Sequence, residues 1–239
     1  MTRRRTTEPQ PSLSLAELLQ RSVWYPGLPA PMQQVVAQRM QERPVAAGAV
    51  LLLHGGTATH WHGVLEGVLK WSATTPDGRS VTLGGLTAGS WFGEGSLLHG
   101  RPVQADVVAL RDSRVALLPK DVFDGLVQHS PAFNHFLLRQ LNERLHWFMG
   151  DFAAHRLYTA ETLVARALLG LVHPFLHPGA SKRLEISQEE IAHLAGLSRQ
   201  RCNQALKSLA EAGTVAVAYG GVCLTDTAAL CRIAGVEPY

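Results

Sequence analysis

Apolar and polar residues change rhythm along this chain, and each change predicts a different kind of element. From about Val45 to Leu118 the apolar residues come in short β-type runs broken by glycine. Leu51–Leu53, Val64–Trp71, Ser80–Leu86, Val103–Leu110 and Arg114–Leu118 are the predicted strands. Gly55-Gly56, Pro76-Asp77-Gly78, Gly84-Gly85 and Gly100 punctuate them as turns, with Pro76-Asp77-Gly78 a hairpin signal. Many short strands at such spacing predict a closed antiparallel barrel or jelly roll. After Pro131, Leu138, Leu141, Leu145, Phe148 and Phe152 follow one another at steps of 3, 4, 3 and 4 residues. That is the seam of two helices packing along their length, so a homodimer is expected. Phe136, Leu137 and Trp147 widen the stripe and predict a second face packed on the chain's own barrel. Glu161–Val172 reads as another amphipathic helix, ended by His173-Pro174. Residues 1–30, rich in Arg, Thr, Pro and Ser, read as a solvated tail with one short helix near Leu15–Gln20.

Residues 187–224 carry the densest signal. Ser187-Gln188-Glu189-Glu190 predicts a capping box, Ser187 capping orphan amides and Glu190 reaching back. The helix it opens buries Ile191, Leu194 and Ala195. Gly196-Leu197 makes a tight turn, and Ser198 caps a second helix whose apolar face is Cys202, Ala205, Leu206 and Leu209. A small residue at Ala192, glycine at Gly196 and an apolar anchor at Cys202 keep helix-turn-helix spacing. The opposite face of the second helix presents Arg199, Gln200, Asn203, Gln204 and Lys207. Arginine pairs bidentately with guanine, and Asn or Gln with adenine, so this face suits the base edges of double-stranded DNA. Arg201 and Lys207 flank it and suit phosphates. Val215–Ala218, Tyr219-Gly220-Gly221 and Val222–Leu224 follow as a hairpin wing.

Charge adds less than its total suggests. The net charge is +3, with 22 basic and 19 acidic residues in 239. The whole surplus lies in residues 1–43, while residues 181–239 balance at six of each sign. The case for DNA therefore rests on polarity inside a neutral module, with Glu189 and Glu190 on its first helix and Arg199 and Arg201 on its second. Arg3-Arg4-Arg5 in the tail would add only nonspecific phosphate affinity. The longest apolar stretch, Val45–Leu53, is far short of the roughly 20 residues a bilayer-spanning helix needs, and Thr6–Ser14 offers no signal-peptide core. No membrane partner and a cytoplasmic location are expected. The 3 cysteines, Cys202, Cys223 and Cys231, include no CxxC pair, which argues against a disulfide framework or a cysteine-held zinc.

With these pieces in order, the chain resembles the Crp/Fnr family of bacterial transcription regulators over nearly all of residues 45–225. The carrying motifs are Phe92-Gly93-Glu94 followed by Leu97, and Ser187-Gln188-Glu189-Glu190-Ile191 through Gly196-Leu197-Ser198-Arg199. The resemblance implies an α+β fold. It would have an N-terminal antiparallel β jelly-roll barrel of cyclic-nucleotide-binding type, a long dimerisation helix and a C-terminal winged helix-turn-helix. The corresponding divisions are a tail at 1–30, the sensor barrel at 31–130, the dimer helix at 131–158 and the DNA-binding domain at 159–239. It also implies an operator contacted through Ser198, Arg199, Gln200, Arg201, Asn203, Gln204 and Lys207, and RNA polymerase as a partner if the protein activates. Gln200 stands where the family often has Glu, and Gln204 where it has a later Arg, which moves base preference toward adenine.

The resemblance places an unknown small-molecule effector at Phe92, Gly93, Glu94, Gln104 and Ala105, with Phe148 and Met149 from the dimer helix. Members that bind cyclic AMP hold its ribose with the glutamate matching Glu94 and its phosphate with an Arg-Ser pair. Here that pair reads Gln104-Ala105, followed by Asp106. A phosphate would lose a charge-assisted bond worth roughly 1.5–3 kcal/mol and meet a carboxylate. Cyclic AMP is therefore not expected to bind in the usual way. The first cysteine is Cys202, which excludes the N-terminal iron–sulfur cluster of the family's oxygen sensors. His54, His60 and His62 leave a haem or metal conceivable, but no carboxylate or cysteine completes a ligand set, and solvated loop histidines are the favoured reading. No Ser/His/Asp or Cys/His grouping, HExxH or Walker loop appears, so an enzyme is not expected. The alternative is a ligand-binding regulatory subunit of cyclic-nucleotide-binding type that controls another protein.

Overall fold

The computed structural model describes residues 12–218 and 220–238. In chain order the elements begin with α1 (Leu15–Arg21), α2 (Ala30–Arg39), β1 (Gln41–Val45), β2 (Val50–Leu52), β3 (His60–Glu66) and β4 (Leu69–Thr74). They continue with β5 (Ser80–Leu86), β6 (Trp91–Phe92), α3 (Glu94–His99), β7 (Asp106–Ala109), β8 (Ser113–Pro119) and α4 (Lys120–His129). The long α5 (Pro131–Leu157) leads into α6 (Ala160–Gly170), β9 (Arg183–Leu184), α7 (Gln188–Leu194) and α8 (Arg199–Glu211). The hairpin β10 (Val215–Ala218) and β11 (Gly221–Leu224) and then α9 (Thr227–Ala234) follow.

Two four-stranded antiparallel sheets, ordered β1-β8-β3-β6 and β2-β7-β4-β5, face each other across an apolar interior of Val64, Leu69, Leu86, Phe92, Val107 and Val115. The predicted strand Val64–Trp71 is in fact two strands in different sheets. The chain breaks at Gly67, whose φ of 96° is left-handed, and a Cβ there would stand 2.7 Å from the Cβ of Ser113. Only glycine lets the backbone turn the corner so close to β8. The run Val103–Leu110 narrows to β7, because its first residues form the loop after α3. The strand β1, with sequence QERPV, has no alternating pattern and gave no signal. As the outermost strand, pairing only with β8, it tolerates Pro44 and largely exposed side chains.

The short helix expected near Leu15–Gln20 forms as α1, but residues 12–30 are not a solvated tail. Ser14 accepts a bond from the Glu17 amide at 3.2 Å while the Glu17 carboxylate accepts from the Ser14 amide at 2.8 Å, a complete capping box that opens α1. Leu13, Leu18, Leu19, Trp24, Tyr25 and Leu28 are all buried in a core shared with β3, α4 and the start of α5. Arg3-Arg4-Arg5 lie outside the described residues.

The C-terminal unit is built around α6, with α7, α8, α9 and the three-stranded sheet β10-β11-β9 packed on one core. It also rests on the barrel. The Thr87 hydroxyl donates to the carbonyl of Leu171 at 2.7 Å, the Gly179 amide donates to the carbonyl of Ala88 at 3.1 Å, and Lys70 faces Glu190 at 3.6 Å. No helix among the described residues is long and apolar enough to cross a membrane.

Candidate nucleic-acid interface and sensor site

At the C-terminal unit, local chemistry positions the exposed face of α8. The Ser187 hydroxyl accepts from the Glu190 amide at 3.1 Å and starts α7. Only this half of the predicted capping box forms, because the Glu190 carboxylate turns away toward Lys70. Gly196 bends the chain with a φ of 59°, where a Cβ would lie 2.7 Å from the His155 ring of α5. Ser198 then caps α8 through a bond from the Arg201 amide at 3.4 Å. Cys202, Ala205, Leu206 and Leu209 are buried, and Cys202 sits against the Gln188 carbonyl of α7. That anchor leaves Arg199, Gln200, Gln204 and Lys207 exposed and Asn203 half-buried. These five line one shallow hollow on the surface, and Arg201 lies outside it. Ser198 serves the helix as its cap. Among the described residues neither Arg199 nor Arg201 has an ion-pair partner, and the Asn203 side-chain oxygen has no hydrogen-bond partner. The expected wing forms as β10 and β11, paired antiparallel from Val215 opposite Leu224 to Ala218 opposite Gly221. Its tip residue Tyr219 lies outside the described residues.

The barrel holds a second concavity of about 290 Å³, to which Gly93, Gln104 and Ala105 contribute together with His60, His62 and Arg101. The other residues assigned to the effector go elsewhere. Phe92 is fully buried and stacks on His62 at 5.1 Å between ring centroids. Glu94, only 3% exposed, forms an ion pair with Arg144 of α5 and accepts from the Trp61 indole at 3.4 Å. Arg144 also donates to the Trp91 carbonyl. Glu94 thus braces α5 against the barrel through Arg144 and does not line the concavity. Phe148 borders a separate cavity between the barrel and the C-terminal unit, and Met149 is exposed. Asp106 is satisfied by the His54 amide at 2.7 Å and the Thr74 hydroxyl at 3.4 Å.

Of the three histidines read as solvated, His62 is buried. Burial, with His60 and Arg43 nearby, lowers its pKa to about 3, so it is neutral, and its Nδ1 has no hydrogen-bond partner. Among the described residues no group of three His, Cys, Asp or Glu side chains is arranged to hold a metal ion. Sequence reasoning passed over Arg101 and Arg144. Arg144 stands directly before the seam residue Leu145 much as Arg139 stands directly after Leu138, so position along α5 did not single it out.

Along α5, Leu138, Leu141, Leu145, Phe148, Met149 and Phe152 are all exposed, Leu138 at 65% and Phe148 at 57%. Phe133, Phe136 and Leu137 on the other side are buried in the barrel core. The helix therefore has two apolar faces, of which its own chain covers one.

Comparison with known proteins agrees with this architecture. Residues 42–130 match the cyclic nucleotide-binding domain, and residues 164–233 match the Crp-like helix-turn-helix domain. The chain is 30% identical over 194 residues to the "Cyclic AMP receptor protein" of Thermus thermophilus, covering 81% of this chain and 88% of that one. It is 25% identical over 219 residues to the "CRP-like cAMP-activated global transcriptional regulator" of Mycobacterium tuberculosis, covering 90% of this chain and 98% of that one. A solved Crp/Fnr-family transcriptional regulator from Thermus thermophilus superposes with a TM-score of 0.59 at 26% identity, covering 83% of this chain and all of that one. The chain belongs to the Crp/Fnr family of transcription regulators. It is a regulator with a cyclic-nucleotide-binding-type barrel and a helix-turn-helix, not an enzyme.

Proposed function

We propose that this regulator works in the cytoplasm as a homodimer on a pseudo-palindromic operator, and that its barrel does not hold cyclic AMP in the usual way. The observation that carries the DNA reading is the hollow of Arg199, Gln200, Asn203, Gln204 and Lys207 on the outer face of α8. An ordinary solvated helix does not gather an arginine and three amides with few internal partners. In a homodimer two such faces read half-sites about one helical turn, roughly 34 Å, apart. RNA polymerase is a further partner if bound protein activates. Alanine in place of Arg199 will weaken operator binding by about 1–3 kcal/mol and relax selection at one base pair per half-site. Fluorescence anisotropy on an operator selected from random duplexes measures this. Undiminished affinity and selectivity would remove Arg199 from the reading face. Wild-type binding should also fall steeply with salt, which a subunit that only controls another protein would not show.

The sensor proposal rests on two features. By the family resemblance Gln104 and Ala105 stand where an Arg-Ser pair would hold the phosphate, and Glu94 is held by Arg144 and Trp61. A ribose hydroxyl reaching for that carboxylate competes with a buried charge-assisted contact. Titration calorimetry with cyclic AMP is expected to give no saturable heat at micromolar concentrations. A micromolar Kd would overturn this part and leave the DNA reading standing.

A further inference from the structure

We propose that the cavity between the barrel, α5 and the C-terminal unit is a binding site for an uncharged, planar aromatic small molecule. The cavity measures about 360 Å³, within the range of drug-sized ligand sites, and shares only Trp71 with the barrel pocket described above. Gly84-Gly85 of β5 form part of its floor, and Leu171 packs there so closely that a Cβ on Gly85 would collide with its side chain. Trp71, Trp147 and Phe148 supply its aromatic walls. Aromatic side chains bordering an apolar space favour a planar apolar occupant.

The charge state of the occupant follows from the polar groups that border the space. Arg144 is neutralised by Glu94, and Asp151 accepts from the Arg166 guanidinium at 2.7 Å. His177 is fully buried against the Ser90 hydroxyl, and burial lowers its pKa to about 3, so it carries no charge. A charged ligand would find every neighbouring charge already paired, and would bear the cost of losing water with nothing to offset it. The Trp147 indole N–H is a hydrogen-bond donor at the border of the space. It suits a single acceptor on the ligand.

The position gives such a ligand leverage. Trp71 belongs to the barrel, Trp147 to α5, and Leu171 and Leu194 to the C-terminal unit, so an occupant touches all three bodies at once. Binding there favours the arrangement in which the C-terminal unit is docked on the barrel, by as much as its affinity differs between docked and undocked forms.

The test uses the full-length protein and the neutral fluorophore N-phenyl-1-naphthylamine, excited through the tryptophans. Saturable binding of one fluorophore per chain with a micromolar Kd is expected. Ala167→Phe and Leu83→Trp, which fill the cavity from opposite walls, should each weaken binding at least tenfold, with folding confirmed by circular dichroism. Ala105→Leu, which fills the barrel pocket instead, should leave it within twofold. The proposal is overturned by absence of saturable binding, by binding that survives both cavity-filling variants (as capture on the exposed α5 seam would), or by loss in Ala105→Leu. The assay contains no DNA, so either result leaves the operator reading where it stands.

Discussion

Alanine in place of Trp24 will destabilise the barrel by about 3–5 kcal/mol and lower its thermal midpoint by about 6–20 °C. Trp24 is 1% exposed and sits at the centre of an aromatic cluster. Its ring lies 5.4 Å from Trp61, 5.3 Å from Trp91 and 5.2 Å from Phe133, centroid to centroid. Those three rings belong to β3, β6 and α5, so one side chain joins the N-terminal segment, a sheet and the long helix. Its indole N–H makes no hydrogen bond, so the loss is one of packing and of the cavity left behind. Surrounding rings that already pack on one another cannot collapse into the space. A differential scan of the two proteins measures the difference. A tryptophan in a solvated leader would change stability by less than about 0.5 kcal/mol, and a shift that small would show that residues 12–30 are not part of the core.

Glutamate at both Leu141 and Leu145 will convert the protein to a monomer and weaken operator binding by about 10²–10⁴-fold. Both leucines are exposed on the face of α5 that its own chain leaves bare, so the substitutions remove nothing from the core of a single chain. In a pair of chains joined along that face, four carboxylates would enter an apolar seam without counter-charges, a cost no dimer of this size absorbs. Each monomer would still hold one recognition face, but the second half-site would no longer be presented at high effective concentration. Light scattering gives the mass and anisotropy the affinity. The proposal that α5 joins two copies fails if the double variant stays dimeric. If it becomes monomeric yet binds as tightly as wild type, the operator is not read by two copies.

The helix-turn-helix was legible because its signals are local. A serine cap, a glycine at the bend and apolar residues at i, i+3, i+4 and i+7 specify both helices within 25 residues, and the exposed face is simply what remains. The 3-4 spacing along α5 was legible for the same reason. The N-terminal segment was harder. Its short helix was expected near Leu15–Gln20, and Ser14-Leu15-Ala16-Glu17 before Leu18 and Leu19 is the same type of capping signal as Ser187-Gln188-Glu189-Glu190. That it packs on the barrel could not be read, since Trp24 gains its partners in the barrel and α5 from residues 37 to 112 positions away in sequence. Edge strand β1 and the split of Val64–Trp71 at Gly67 depend on neighbours in β8, which no window along the chain contains.

By itself the sequence determined the family, the order of barrel, long helix and winged helix-turn-helix, and the side chains offered on α8. The family was legible as a resemblance, carried by Phe92-Gly93-Glu94 and the motif from Ser187 to Arg199, while the element order and the face of α8 follow from periodicity and capping, which act over a few residues. Only the tertiary structure decided where charge and space are spent. It paired Glu94 with Arg144 across 50 residues, buried His62 as a neutral imidazole, and left an apolar cavity between β5, α5 and the C-terminal unit. Ion pairing, desolvation and cavity volume depend on which surfaces meet in space, and composition and spacing leave those meetings open.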